Sequence, residues 1–223
     1  MYIKNLIRKL LICFDLQSLL KYYKKLPLSE QYWIERYAKG ENSGLGSYGK
    51  FAIFKAEIIN DFVRQNDISK VIEYGCGDGN QLEKLIFKKY SGFDVSPKAI
   101  SLCRQKFHED NTKQFKLMKD YNNEIADLTI SLDVIYHLVE DRVFKAYMSR
   151  LFGSSSRYVI IYSTNFKEQL EGSYIRHREF TDWVKKNWNQ WQLVKVIPNK
   201  YPFTGDKKTG CRTDFFIYEK TLK

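Results

Sequence analysis

Val71-Ile-Glu-Tyr-Gly-Cys-Gly-Asp-Gly79 and, a short interval later, Tyr90-Ser-Gly-Phe-Asp94 decide the fold of this chain. Together they read as a strand, a glycine-rich turn, a helix and a second strand that ends in a carboxylate. Gly75, Gly77 and Gly79 allow a sharp turn and a close backbone approach, and Asp94 falls where the tip of the second strand can hydrogen-bond a ribose. The pattern is that of a nucleotide-cofactor cradle. A tight strand-to-helix connection without any ligand is the alternative reading of the same residues.

The spacing narrows the cofactor. A dinucleotide fingerprint needs Gly-x-Gly-x-x-Gly, whereas the third glycine comes one residue early and Asn80 fills its place. No Gly-Lys-Ser/Thr follows, which removes a Walker phosphate loop. Glu73, just before the turn, would repel a pyrophosphate but suits a ligand carrying an ammonium and a sulfonium.

Working outward, strand-like runs occur at Lys70 to Tyr74, Tyr90 to Asp94, Phe115 to Met118, Leu128 to Leu132, Tyr158 to Ser163, Leu193 to Ile197 and Phe215 to Glu219. Helical patterns separate most of them, and another, from Phe51 to Arg64, precedes the first. Five strands alternate with helices, as a parallel doubly wound sheet requires. The last two are joined by a helix-free loop and should close the sheet with an antiparallel strand. The expected architecture is therefore α/β, a seven-stranded, mostly parallel, Rossmann-like sheet.

With 223 residues the chain has length for one such domain, from residue 28 to 223, plus an N-terminal appendage. Residues 1 to 27 form that appendage: Ile3, Leu6, Ile7, Leu10, Leu11 and Phe14 recur at helical spacing, with Lys4, Arg8 and Lys9 between them, until Pro27. The pattern is a basic amphipathic helix, too short and interrupted to span a bilayer and lacking a small-residue cleavage site. It would either lie on an anionic membrane surface through residues 1 to 26 or dock on the protein itself or a partner. The apolar fraction of 43% and the aromatic fraction of 16% are those of a globular protein. Four scattered cysteines, Cys13, Cys76, Cys103 and Cys211, point to a reduced, cytoplasmic protein with no metal site. A net charge of +11 favours anionic partners, whether nucleic acid, acidic glycan, nucleotide-linked sugar or membrane, without choosing among them, and lysine-rich composition alone can produce it.

Three further stretches complete the pattern: Trp33-Ile-Glu-Arg-Tyr37, Ser43-Gly-Leu-Gly-Ser47 and Ser131-Leu-Asp-Val-Ile-Tyr-His-Leu138. With the glycine turn they resemble class I S-adenosylmethionine-dependent methyltransferases, and within these a bacterial branch associated with surface-glycan loci, over residues 30 to 220. The resemblance implies S-adenosylmethionine as cofactor, its methionine part near Glu73, Gly75, Gly77 and Asp78, its ribose at Asp94 and its adenine on Val95. It places Asp120 and Tyr121 near the adenine amino group, although Asp120 also reads as a turn residue. Leu132 and Asp133 would line the far side, with Tyr37 and Ser47 as further contacts; Ser47 belongs to the loop Asn42 to Gly49, which is either a lid or a plain linker.

Methyl transfer needs a base only if the acceptor arrives protonated. His137 at the exit of the fourth strand is the first choice, beside Asp133; His177 is the second. Arg176 and Arg178, with Tyr136, would contact an anionic acceptor, although the region of His177 also reads as a solvated helix start. The expected activity is O-methylation of a sugar or phosphate-bearing group in polysaccharide synthesis. An RNA methyltransferase and a non-catalytic cofactor-binding scaffold are the rivals. Ser131-Leu-Asp-Val replaces the Asp/Asn/Ser-Pro-Pro-Tyr/Phe typical of DNA-base amino-methyltransferases, which argues against base methylation of that kind.

Overall fold

A computed structural model describes residues 29–169 and 173–221; the expected N-terminal helix lies outside these residues. Helix α1 (Ser29–Ala38) leads through the glycine-rich loop into α2 (Gly49–Gln65). Strands β1 (Lys70–Tyr74), β2 (Lys89–Asp94), β3 (Lys113–Leu117), β4 (Ala126–Leu132) and β5 (Ser155–Ser163) follow, with α3 (Pro97–Lys106) after β2 and α4 (Asp141–Gly153) after β4. A small ribbon, β6 (Glu168–Gln169) and β7 (Arg176–His177), precedes α5 (Phe180–Asn187), β8 (Trp191–Ile197) and β9 (Asp214–Lys220).

The seven main strands stand in the order β3-β2-β1-β4-β5-β9-β8. Strands β1 to β5 pair in parallel, and β9 runs antiparallel to both β5 and β8, as the helix-free connection predicts. β1 and β4 are buried along nearly their whole length because helices cover both faces of a parallel sheet. Alternation of the pleat divides the core in two. Val71, Ile130, Ile160 and Phe215 face α2 and α3, while Ile72, Val159, Ile161 and Phe216 face α4 and α5. Chain order reverses between β1 and β4, which opens a crevice at their carboxyl ends where ligands of such sheets bind.

One expected element is replaced. The helix anticipated between the glycine turn and β2 is a single 3-10 turn, Leu82–Lys84. Only residues 80 to 88 connect the two. As an α-helix they would rise about 13 Å, with nothing left for the turns at either end, while β1 itself is about 17 Å long. Instead Leu82, Leu85 and Phe87 are buried, and α2 lies against the connection. Asn60 accepts from the Ile86 amide and donates to the Lys84 carbonyl, both at 2.9 Å, and Gln81 donates to the Ala52 carbonyl at 3.0 Å. The β6–β7 ribbon, with two residues per strand, is too short to leave a period in the sequence.

Candidate active site

The turn after β1 is held by the neighbouring strand: the Gly75 and Cys76 amides both donate to the Phe93 carbonyl, at 2.7 and 3.1 Å. Gly75 and Gly77 take φ of 81° and 57°, a region that disfavours side chains. Space forbids one as well. A Cβ at Gly77 would lie 2.4 Å from Ser43 Oγ and 2.7 Å from the Tyr37 hydroxyl, and one at Gly75 would lie 2.5 Å from Val134. The glycines thus bring the turn against the chain's own loop and the β4 exit.

Beside the turn is a cavity of about 540 Å³. Glu73, Gly75, Gly77, Asp94, Val95 and Leu132 form its wall on the sheet side, and Tyr37 and Ser47 reach it from α1 and the loop. Glu73 is 3% exposed and accepts a 2.5 Å hydrogen bond from Tyr90. Burial pushes its carboxyl up to about 7, against a smaller opposing effect of Tyr90 and of the Lys55 ammonium. Asp94 is likewise buried, which raises its carboxyl to about 6 despite hydrogen bonds from the Gly77 amide at 3.0 Å and the Ser96 amide at 2.8 Å. Ser96 also caps α3 by accepting from the Ala99 amide, which fixes the tip of β2. Gln81, unforeseen in the sequence, lines the cavity with its Oε1 buried and unpartnered among the described residues.

Three of the expected cofactor contacts have other occupations. Asp78 accepts from the Ser43 amide at 3.0 Å, the Tyr48 hydroxyl at 2.8 Å and the Asn80 amide at 3.0 Å, so it straps the loop to the turn. Asp120 is exposed, at the end of a 3-10 turn, while Met118 from the same turn lines the cavity. Tyr121 packs edge-on against Tyr74 and Phe93, with the Arg150 guanidinium 5.1 Å above its ring. The loop around Ser43 and Ser47 is tied over the cavity and is not a free linker.

At the β4 exit Asp133 and His137 both line the cavity. His137 sits in a 3-10 turn, Ile135–His137, where its Nδ1 faces the Tyr174 carbonyl at 3.1 Å and Trp33 meets its ring edge-on at 5.0 Å. A carbonyl only accepts, so Nδ1 carries the proton and Nε2 keeps its lone pair. Burial lowers the imidazole to about 4, so the ring is neutral at physiological pH. Asp133 is already engaged. Oδ2 is 2.7 Å from the ammonium of Lys55, which is completely buried, and Oδ1 accepts from Tyr136 at 3.1 Å. Lys55 was legible in retrospect: it stands between Phe51 and Ile59 on the buried stripe of α2.

The remaining acceptor candidates are not on this cavity. Arg178 donates to the Leu138 and Val139 carbonyls at 2.7 and 2.9 Å and to Asp141 at 3.2 Å. Arg176 donates to the Val139 carbonyl at 3.0 Å and pairs with Asp141. Both guanidiniums clamp the segment after His137. His177 lies in the β6–β7 ribbon and not at a helix start; its Nδ1 meets Thr164 Oγ1 at 2.7 Å, and it lines a second cavity of about 500 Å³ together with the two arginines. Among the described residues no group of His, Cys, Asp and Glu is arranged to hold a metal ion, and no helix is long and apolar enough to cross a membrane.

Residues 72–160, which carry β1 through most of β5 and hence the cavity wall, match a family described as Methyltransferase domain. Nothing among curated proteins matches the chain. Solved structures with this fold include the magnesium protoporphyrin IX methyltransferase ChlM of Synechocystis PCC 6803 with bound SAM, at TM-score 0.62 and 15% identity over 89% of this chain and 100% of that one. The N-methyltransferase NodS of Bradyrhizobium japonicum WM9, in complex with S-adenosyl-L-homocysteine, aligns at TM-score 0.59 and 12% identity over 76% and 86%. The methyltransferase domain of the bacterial protein CtHen1-C aligns at 0.59 and 17% over 80% and 100%. At these identities the likeness is one of fold.

Proposed function

We propose that the chain, with its methyltransferase-domain match over residues 72–160, is an S-adenosylmethionine-dependent methyltransferase that O-methylates a sugar or phosphate-bearing acceptor in surface-polysaccharide synthesis. The observation that carries the cofactor half of this reading is the cavity floor. Glu73, Gln81 Oε1 and Asp94 place three buried acceptor groups around the glycine turn, and among the described residues none of the three is hydrogen-bonded to a cation. A buried carboxyl at about 7 is a poor arrangement for an empty protein and a good one for receiving an ammonium, which would restore its charge. Asp94 keeps lone pairs free to accept from a diol, and the turn's backbone allows a ligand close to it. The cofactor supplies an electrophilic methyl group on a sulfonium.

What the chain contributes is placement and exclusion of water. Tyr37, Ser43 and Ser47 cover the cavity, and Trp33 and His137 bound it on the side of the β4 exit. Nε2 of His137 can accept a hydrogen bond from an acceptor hydroxyl and orient its oxygen. With its pKa near 4 the ring takes the proton only as the new C–O bond forms and the C–S bond breaks, not beforehand. Asp133, paired with Lys55 and Tyr136, is a weaker candidate for the base than the sequence suggested.

Calorimetry with S-adenosylhomocysteine tests the cofactor half, and labelled methyl transfer to nucleotide sugars or capsule fragments tests the acceptor half. Binding without transfer to any glycan, together with transfer to RNA, would favour the RNA reading, whose support is the charge of +11 and a fold shared with part of the small RNA methyltransferase HEN1, 26% of which is covered.

A further inference from the structure

Lys55 is the one completely buried lysine of the described chain, and its ammonium has a single carboxylate partner, Asp133. The ring of Tyr162 lies 5.2 Å away on another side. An ammonium in this position brings no stability that an apolar residue of the same length would lack, since desolvation of both charges offsets their attraction. What the pair can supply is orientation. Asp133 adopts φ of 60°, and the protein accepts this at a residue lining the cavity. Its amide is held by the Tyr162 carbonyl at 3.0 Å, so the carboxylate is fixed at both ends.

The loop Asn42 to Gly49 rests on that carboxylate. A Cβ added at Gly46 would lie 2.7 Å from Asp133 Oδ2, the oxygen that Lys55 holds. From there the loop runs to the glycine turn, where Asn80 donates to the Ser47 carbonyl at 2.6 Å and Asp78 takes Ser43 and Tyr48. The roof of the cavity is therefore seated at one side on the turn and at the other on the Lys55–Asp133 pair.

We propose that Lys55 is a positioning residue for the cofactor pocket: a buried counter-ion that fixes Asp133 and, through it, the seat of the loop covering the cavity. This rests on the cofactor reading above. Lys55 does not line the cavity, so it reaches a ligand through Asp133 and Gly46, beside the smaller attraction of its ammonium for the Glu73 carboxylate.

The test compares S-adenosylhomocysteine affinity and thermal stability in the wild type, Lys55→Met, Asp133→Asn, the double variant and Gly46→Ala. Lys55→Met strands a carboxylate faced by Tyr136, Tyr162 and His137 alone, and should lose stability and bind about tenfold more weakly. The double variant should recover stability, having no unpaired charge, without recovering affinity; if Lys55→Met fails to fold, this arm decides the matter. Gly46→Ala should weaken binding while leaving the melting temperature within a few degrees. Wild-type affinity in the double variant would overturn the proposal while leaving the cofactor reading intact. Absence of binding to the wild type would overturn both.

Discussion

The two ends of the cavity are built on different plans. At the glycine turn the polar groups of β1, β2 and the connection between them line the cavity with acceptor capacity to spare: Glu73 has one hydrogen bond, Asp94 two, and Gln81 Oε1 none. At the β4 exit the polar groups are spent on one another, with Asp133 on Lys55 and Tyr136, and Arg176 and Arg178 on the backbone after His137. On the cavity side Nε2 of His137 keeps its lone pair. A ligand with fixed chemistry can be met by short, local sequence, whereas the acceptor side is a scaffold on which a few positions do the recognition.

The harshest way to break the contrast is at the turn itself. Gly77→Val would force a branched side chain into a φ of 57° and against Ser43 and Tyr37. S-adenosylhomocysteine affinity should fall more than about a hundredfold, with several degrees lost from the melting temperature. Retention of binding in calorimetry would mean that the turn does not shape the pocket.

Glu73 offers a test with a sign. Its carboxyl is raised from 4.5 to about 7, so the free protein binds a proton there below neutrality. A cationic ligand selects the ionised form, and affinity should therefore fall by up to tenfold per pH unit below about 7 and level off above it. Stability runs the other way. A folded-state value above the unfolded one contributes a penalty that is absent below pH 4.5, builds towards pH 7 and is constant beyond. Glu73→Gln should lose about tenfold or more in affinity at pH 8, flatten the pH dependence and melt higher than wild type there. A steeper fall of wild-type affinity above pH 7 would refute this assignment.

At the other end, His137→Ala should lower turnover by about a hundredfold while cofactor affinity changes less than about threefold. Because the ring is neutral above a pH of about 4, wild-type turnover should show no inflection between pH 6 and 8 that the variant lacks. An inflection near 6.5 that disappears in the variant would indicate that acceptor binding wets the ring.

How much of this could be read in advance follows from the same contrast. The seven main strands and the antiparallel β9 rest on local periodicity, and the tight turn of 71–79 on glycine positions, both visible along the chain. The missing helix before β2 could have been found by counting, since residues 80 to 88 cannot reach back along β1 as a helix. Lys55 left a signal, a lysine on an apolar stripe, but its partner is 78 positions away and only packing joins them. The arginines were legible as anion binders by type; what the residues could not reveal is that the chain's own carbonyls at 138 and 139 would take them first.

Asp120 separates the two kinds of inference with the smallest expected effect. The family resemblance implied the adenine amino group, with a turn residue as the alternative, while the structure leaves the side chain exposed and gives the cavity wall to Met118. An exposed carboxylate at the rim contributes little to binding a neutral ring, because solvent competes for each of its hydrogen bonds. Asp120→Asn should therefore change S-adenosylhomocysteine affinity less than about twofold, whereas Met118→Ala, which removes apolar wall, should cost about fivefold. If the order were reversed, the turn Met118–Asp120 would have to rearrange around the ligand, and the rim at this point, unlike the strand tips at Glu73 and Asp94, would owe its shape to what it binds.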